Sequence, residues 1–194
     1  MRVIFINRFF HPDHSATSQI LSDLAFHLAE NGQEVEIITS RQKYDDPAVI
    51  LPKAETIQGV KVTRLSGTHF GRQNLVGRGI DYLTFYLSTF LFLLKYLKKG
   101  DCLVAKTDPP MISIVAGLCA GILKAKLVNW TQDLFPEVAR ALDVKGISAV
   151  YPPLLWLRNL SLKKAVTNVV IGDMMACRLR EQGVAAERIR VIPN

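Results

Sequence analysis

The sequence predicts an α/β domain of the Rossmann-like, doubly wound class: a mainly parallel sheet of about seven strands with helices on both faces. Short apolar or β-branched runs alternate along the chain with segments of helical periodicity. These runs are apolar almost throughout, which is typical of strands covered on both faces. The chain has 194 residues, 49% of them hydrophobic, and this is enough for one domain with a sizeable core.

The seven runs define the predicted strands in order. They lie at residues 2–7, 35–39, 60–65, 102–106, 126–130, 168–171 and 189–192. Between the first two, apolar residues from Ile20 to Leu28 fall on one helical face, and Gly32 supplies a stop signal. The chain therefore begins with a βαβ unit. The glycines of "GLCAG", Gly117 and Gly121, indicate close helix packing rather than a ligand loop.

Cysteine usage and the N-terminus indicate a cytoplasmic protein. Cys102, Cys119 and Cys177 lie far apart, and their odd number argues against a disulfide framework or a zinc site. The opening "MRVIFINRFF" has only a short apolar run and no small-residue cleavage site, so it reads as a strand and not as a signal peptide. No export is expected.

The net charge of +7 suits nucleic acid, phosphorylated ligands or an anionic membrane surface. Basic residues flank the most hydrophobic stretch, which favours a lipid surface over nucleic acid; they are Arg72, Arg78, Lys95, Lys98 and Lys99. A helix is predicted at 80–97, and its uncharged part, 82–94, is shorter than the roughly twenty residues that cross a bilayer.

The predicted helix has an apolar arc wider than one core contact requires. Its polar residues fall near one stripe, at Asp81, Thr84, Ser88, Lys95 and Lys99. Two interpretations remain open. The helix is buried between the sheet and a second domain or protomer, or the segment 80–99 inserts shallowly at the inner membrane surface with its lysines near the headgroups.

Ligands of doubly wound sheets bind outside the carboxyl ends of the strands, so the strand-exit loops hold the candidate site. These loops read "RFFHPDHSATS", "TDPP", "TQDLFPE" and "GDMM". The first lacks the glycines of a dinucleotide-binding loop, and neither a P-loop nor a G-x-S-x-G motif occurs. His11 and His14 match no standard metal-ligand spacing, so no metal is expected.

The first exit loop leads into a helix whose N-terminus can attract an anion. Asp13, Ser15 or Thr17 is expected to cap that helix. In the loop after the fifth predicted strand, Asp133 and Glu137 flank Pro136. A purely structural explanation is that Glu137 is favourable in the first turn of a helix after Pro136 and that Asp133 caps that turn. This explanation accounts well for one carboxylate but less well for both.

Taken in order, the loops resemble the N-terminal half of retaining glycosyltransferases of family four, which have the two-domain GT-B architecture. The resemblance covers essentially all of residues 1–194 and is closest to the branch that serves bacterial capsule, O-antigen and other surface polysaccharides. Its most specific part is the pattern Asp133, Phe135, Pro136 and Glu137. It implies that residues 1–194 bind the acceptor and that a C-terminal domain, absent here, binds the nucleotide sugar.

The resemblance also implies roles for individual residues. Asp133 is the expected catalytic residue, accepting a hydrogen bond from an acceptor hydroxyl and orienting it. The expected substrate-binding residues are His14, Ser15, Ala16, Asp108, Pro109 and Glu137. Many relatives carry a Gly-Gly pair where this chain has Ser15 and Ala16. The expected partners are a nucleotide sugar and a glycan or lipid-linked acceptor, with no tightly bound cofactor and no nucleic acid.

The chain stops at "VIPN", where relatives continue into a second domain, so an expressed fragment that is inactive alone is expected. The alternatives are a non-catalytic ligand-binding or scaffold module, or half of a nucleotide-sugar epimerase. Paired glutamates downstream of Asn194 would favour the enzyme.

Overall fold

The computed structural model describes residues 1–44, 46, 49–70, 75–144 and 146–194. The strands are β1 (Val3–Ile6), β2 (Val35–Ser40), β3 (Ala54–Ile57), β4 (Val60–Leu65), β5 (Cys102–Lys106), β6 (Lys126–Thr131), β7 (Thr167–Val170) and β8 (Ile189–Val191). The helices are α1 (Ala16–Glu30), α2 (Leu75–Tyr96), α3 (Ile112–Leu123), α4 (Glu137–Ala141), α5 (Ile147–Lys164) and α6 (Asp173–Glu181). A 3₁₀ turn, Ala186–Arg188, precedes β8.

All eight described strands form one sheet in the order β3-β4-β2-β1-β5-β6-β7-β8. Every neighbouring pair is parallel except β3 and β4, where Ala54 pairs with Thr63 and Ile57 with Val60. The predicted Rossmann-like α/β class is confirmed, but the sheet has one strand more than expected. The sequence did not reveal β3 because its four residues, AETI, form no apolar run and alternate between exposed and half-buried positions.

Two hydrophobic clusters attach the helices to opposite faces of the sheet, as expected for a doubly wound α/β fold. On one face, α1 contributes Leu21 and Ala25 to a cluster with Phe5, Ile37 and Trp130. The other face is covered by α2 and α3, with a further cluster around α6. A Cβ on Gly117 would lie 3.3 Å from Leu127 Cδ2, so that glycine packs closely as predicted, whereas Gly121 faces open space.

Helix α2 begins five residues earlier than predicted and ends at Tyr96. Its polar stripe does not lie wholly in solvent: Asp81 is 2% exposed, and its Oδ1 accepts hydrogen bonds from Thr68 Oγ1 (2.7 Å) and Phe70 N (3.0 Å). The outward face is apolar and exposed at Val76, Ile80, Leu83, Leu87 and Leu91. We call these five residues the apolar stripe. Arg72, part of the predicted basic flank, lies outside the described residues.

Candidate functional site

Two adjacent cavities that share lining residues lie at the carboxyl edge of the sheet. The larger, the main cleft, has a volume of about 320 Å³ and is lined in part by Arg8, Ser15, Ala16, Tyr82, Asp108 and Asp133. The smaller, the side pocket, has a volume of about 40 Å³ and is lined in part by Ala105, Ile112, Asn129, Asp133, Arg158 and Leu162. Asp133 and Thr107 border both.

Asp133 lies at the junction of the two cavities. Its side chain is exposed and makes no hydrogen bond or ion pair with any described residue. The loop that carries it is tied to the exit of β5, because Gln132 N–H donates to Thr107 Oγ1 at 2.8 Å. The Asp133 carboxylate thus has no partner among the described residues and lies on a loop fixed by a hydrogen bond, so it can accept a hydrogen bond from a ligand.

The N-terminus of α1 forms another wall of the main cleft. Ser15 is the N-cap residue, but its side chain makes no capping hydrogen bond, so the expected side-chain cap is wrong for Ser15. Asp13 instead accepts Ser15 N–H at 2.8 Å and Tyr44 N–H at 2.5 Å, which fixes the loop. The first N–H groups of a helix have no partner within the helix and attract negative charge. Ser15, Ala16 and Thr17 present this end of the helix to the cleft.

Arg8 and Tyr82 are cleft residues that the sequence analysis missed. The Arg8 guanidinium lies 5.0 Å from the centre of the Tyr82 ring, and Arg78 lies 5.4 Å from the same ring. Arg8 is held in place because its N–H donates to Asp108 O at 2.7 Å and its carbonyl accepts from Thr39 and Ser40. Arg8 Nη2 also lies 3.5 Å from Oδ2 of the buried Asp81, which matches part of its charge, whereas Arg78 is exposed and donates to Tyr82 Oη at 2.8 Å. Arg78 therefore carries the more accessible positive charge beside this ring, and such a group suits anionic ligands.

Three of the predicted substrate-binding residues do not line the main cleft or the side pocket. His14 is exposed and Pro109 is buried, and neither borders a cavity described above. Glu137 turns away toward the helices, where its Oε1 accepts from Arg158 Nη2 and from Gln182 Nε2 at 2.8 Å. Asp108, Ser15 and Ala16 do line the cleft. Glu137 therefore supports the loop from behind.

Burial changes the acidity of two basic side chains near this edge. Desolvation lowers the pKa of Lys106 to about 8; the side chain is 0% exposed, and its Nζ lies 3.7 Å from the centre of the Trp130 ring. Desolvation also lowers the pKa of Arg158, while the charge and hydrogen bond of Glu137 act in the opposite direction. Arg158 has a carboxylate partner, whereas Lys106 Nζ has no hydrogen-bond partner among the described residues.

Within the described ranges, no group of three or more His, Cys, Asp or Glu side chains is arranged to hold a metal ion. A search of the same ranges finds no helix whose length and apolar content would carry it across a membrane.

The fold and the cleft define an α/β domain whose ligand site lies at the carboxyl edge of its parallel strands. Residues 16–194 match the family model described as the glycosyl transferase 4-like domain. The chain therefore belongs to the glycosyl transferase 4-like family. Among curated proteins, none matches the sequence.

Solved structures share the whole fold. Sucrose-phosphate synthase from Thermosynechococcus elongatus aligns with a TM-score of 0.64 at 15% identity, covering 100% of this chain and 48% of that one. A second, twinned structure of that synthase gives 0.65 at 13% identity, covering 100% of this chain and 89% of that one. Anabaena HepE in complex with UDP and glucose gives 0.58 at 12% identity, covering 100% of this chain and 44% of that one.

At these identities the likeness establishes the fold alone, a Rossmann-like lobe of GT-B type. The chain spans about half the length of the first synthase chain and of HepE.

Proposed function

We propose that the main cleft is the acceptor side of a glycosyltransferase active site. A sugar hydroxyl binds beside Asp133, its oxygen attacks the anomeric carbon of a nucleotide sugar, and the bond from that carbon to the diphosphate breaks. The hydroxyl proton leaves toward Asp133 or toward the departing phosphate, and the anomeric configuration is retained. The observation that carries the proposal is the unpaired, exposed Asp133 carboxylate at the cleft junction of a glycosyl transferase 4-like chain.

The positive wall of the cleft supports a diphosphate-bearing ligand. The N-terminus of α1 contributes partial positive charge to the cleft, and Arg78 contributes an exposed guanidinium group. Arg8 adds a second guanidinium group, part of whose charge is matched by Asp81 at 3.5 Å. Preorganised positive groups stabilise a leaving diphosphate most effectively where water is excluded. A second α/β lobe is part of the proposal, because the cleft is open on one side and relatives of this fold have longer chains. That lobe would bind the sugar nucleotide without a metal or other bound cofactor.

Substitution of Asp133 tests the proposal. In the complete enzyme, Asp133→Asn keeps the size of the side chain but removes its charge, so turnover should fall by about 10²–10⁴-fold, the usual contribution of such a group. The measurement is sugar transfer from a panel of nucleotide sugars. Asp143→Asn changes an exposed carboxylate ten residues further along the chain that borders neither cavity; it is the matched control and should remain fully active. Unchanged turnover in Asp133→Asn would refute the role of the carboxylate.

We further propose that the acceptor is lipid-linked, as in bacterial surface-polysaccharide assembly, and that α2 rests on the inner membrane surface. The apolar stripe is 39–70% exposed at its five positions. Lys95, Lys98 and Lys99 are exposed near the end of the same helix, where they can meet anionic headgroups. Arg78 and Tyr82 join this helix to the cleft, so a lipid-borne diphosphate and the reacting sugar would lie along one path.

Vesicle binding tests the membrane contact. This chain should sediment with anionic vesicles more than with neutral ones, and the difference should shrink at high salt. Leu87→Asp places a charge in the apolar stripe and should weaken binding by roughly tenfold or more. Leu142→Asp changes a leucine outside the stripe that is 72% exposed, against 58% for Leu87, and is the matched control. Equal binding of the two variants would indicate that α2 instead meets protein.

A further inference from the structure

The side pocket contains buried polar atoms that the proposed transfer leaves unused. Arg158 is 5% exposed and donates through Nη2 to Glu137, yet its Nε and Nη1 have no partner among the described residues. Asn129 is 2% exposed, and its Oδ1 is likewise unpartnered in the described part of the chain. Buried polar groups in native proteins are nearly always hydrogen-bonded, so these atoms point to a missing partner.

The orientation of Asn129 is fixed by its neighbour. Asn168 Nδ2 donates to Leu162 O (3.0 Å) and Arg188 O (3.3 Å), which leaves Asn168 Oδ1 as an acceptor facing Asn129. Asn129 must therefore donate its Nδ2, as it does at 2.9 Å, and keep its Oδ1 free. The pocket thus lacks an acceptor for Arg158 and a donor for Asn129.

The volume and the lining of the side pocket limit which chemical group can supply both the acceptor and the donor. A volume of about 40 Å³ has room for roughly three water-sized groups, at about 10–15 Å³ each, and is far too small for a sugar ring. Half of the residues that line the pocket are apolar, among them Ala105, Ile112, Leu134, Phe135 and Leu162. The matching group is small, with an apolar end, one donor and one acceptor.

The missing donor and acceptor decide between an anionic and a neutral group. The Arg158 charge is already matched by Glu137, and Asp133 borders the pocket. Lys106 also lines the pocket; its buried Nζ lies 3.7 Å from the centre of the Trp130 ring and has no hydrogen-bond partner among the described residues. A carboxylate or phosphate could meet the Lys106 charge, but it has no N–H or O–H to donate to Asn129 Oδ1 and would lie near the like charge of Asp133. A neutral secondary amide supplies both the acceptor and the donor.

We propose that the side pocket binds the N-acetyl group of an acceptor sugar, with Arg158 donating to the carbonyl oxygen and Asn129 accepting the amide N–H. The acetyl methyl group then packs against the apolar lining. This specificity rests on the proposed function, because it assumes that the attacking hydroxyl lies beside Asp133 at the entrance. The acceptor class is therefore an N-acetylated amino sugar.

Titration of this chain with simple sugars tests the assignment by NMR. N-acetylglucosamine should shift the methyl signals of Ile112 and Leu162, and it should bind roughly tenfold or more tightly than glucose, as expected for two added hydrogen bonds. Ala105→Val adds two carbons to the pocket and should abolish this preference. Ala125→Val makes the same change outside the pocket and should preserve it. An unchanged amide spectrum shows that each variant is folded.

The remaining outcomes separate this inference from the proposed function. Absence of methyl shifts with N-acetylglucosamine, or larger shifts with glucuronic acid, overturns the N-acetyl assignment. Shifts confined to the amides of Ser15 and Thr17 also overturn it, while leaving sugar binding in the main cleft intact. Pocket shifts together with a fully active Asp133→Asn enzyme would support the pocket and refute the catalytic proposal.

Discussion

The two edges of the parallel sheet differ in how their charges are paired. At the amino edge, Arg2 holds Asp101 through two hydrogen bonds of 3.2 and 2.5 Å and contacts Glu36 at 3.5 Å, while Lys61 also reaches Glu36 at 3.3 Å. At the carboxyl edge, Asp133 and Lys106 have no such partner among the described residues. Ion pairs occur at the carboxyl edge as well, between Arg8 and Asp81 and between Arg158 and Glu137, but Asp133 and Lys106 leave that edge with charges that no described residue matches.

The largest expected effect on stability lies at the paired edge. Removing one member of a buried ion pair leaves the other charge uncompensated, so Asp101→Ala should lower the free energy of unfolding by about 3 kcal/mol, the low end of the usual range because Arg2 keeps Glu36. Urea denaturation measures this. Glu181→Ala, which breaks the exposed pair with Arg178, is the control and should cost less than about 1 kcal/mol. If Asp101→Ala and Glu181→Ala lowered the free energy of unfolding equally, the proposed difference between the two edges would be contradicted.

The Asp101 pair should also make stability depend on acid. Burial opposes the charged form of Asp101, but hydrogen bonds from Arg2 and from Lys98 N–H outweigh it and hold the pKa below its usual range. The folded pKa is thus lower than the unfolded one, so this stabilisation is present above the ordinary pKa and is lost as the pH falls through the folded value. The Asp101→Ala variant should lack this part of the acid transition.

At the carboxyl edge, removing the unpaired Lys106 charge should stabilise the protein. Lys106→Met keeps the length of the side chain beside Trp130 and removes a desolvation penalty of about 3 kcal/mol, the equivalent of the lowered pKa. The lost contact between the cation and the Trp130 ring offsets about 1 kcal/mol, so the variant should gain about 2 kcal/mol near neutral pH. The pKa of Lys106 is about 8 in the folded protein, below its value in the unfolded chain, so the stability of the wild-type protein should rise between about pH 8 and pH 10.5. The stability advantage of Lys106→Met over the wild type should shrink over the same pH range.

Thermal unfolding across this pH range checks the Lys106 prediction. Lys126→Met, an exposed lysine on the neighbouring strand, is the control and should change stability little. A destabilised Lys106→Met protein would show that the lysine has a compensating partner.

The smallest stability effect is expected at Asp133 itself. Because its carboxylate is exposed and unpaired in the described structure, Asp133→Asn should change the free energy of unfolding by less than about 0.5 kcal/mol. A loss comparable with that of Asp101→Ala would make Asp133 a structural residue and contradict the distinction between the edges.

Much of this arrangement could be predicted from the sequence, because strand-exit loops are local. Apolar runs located seven of the eight strands, and the exits of β1, β5 and β6 supplied Ser15, Asp108 and Asp133. Strand β3 was missed because its side chains show no apolar run. It lies at the border of the sheet and pairs only with β4, so its side chains need not be buried. Glu137 lines neither cavity, because the short helix α4 turns it toward Arg158 and Gln182, a direction that its nearness to Asp133 in the sequence does not reveal.

The missed cleft residues have different origins. Arg8 lies two residues after β1 and is the first charged residue of that exit loop, so its position in the sequence marks it as a candidate. Arg78 and Tyr82 come from α2, a helix that follows β4 along the chain, and tertiary packing alone brings them over Arg8. Arg158 reaches the side pocket from α5 in the same way, so no local motif marks it.

Strand β3 has a consequence for the behaviour of the protein in concentrated solution. It is the outermost strand on one side of the sheet, four residues long and antiparallel to its neighbour, and Glu55 within it is held by Arg64. Such a short, charged border offers little free backbone for a strand of another molecule to extend. At the opposite border, β8 is shorter still and exposes Arg190. Both margins therefore resist intermolecular sheet growth, which favours dispersed molecules over fibrous aggregates.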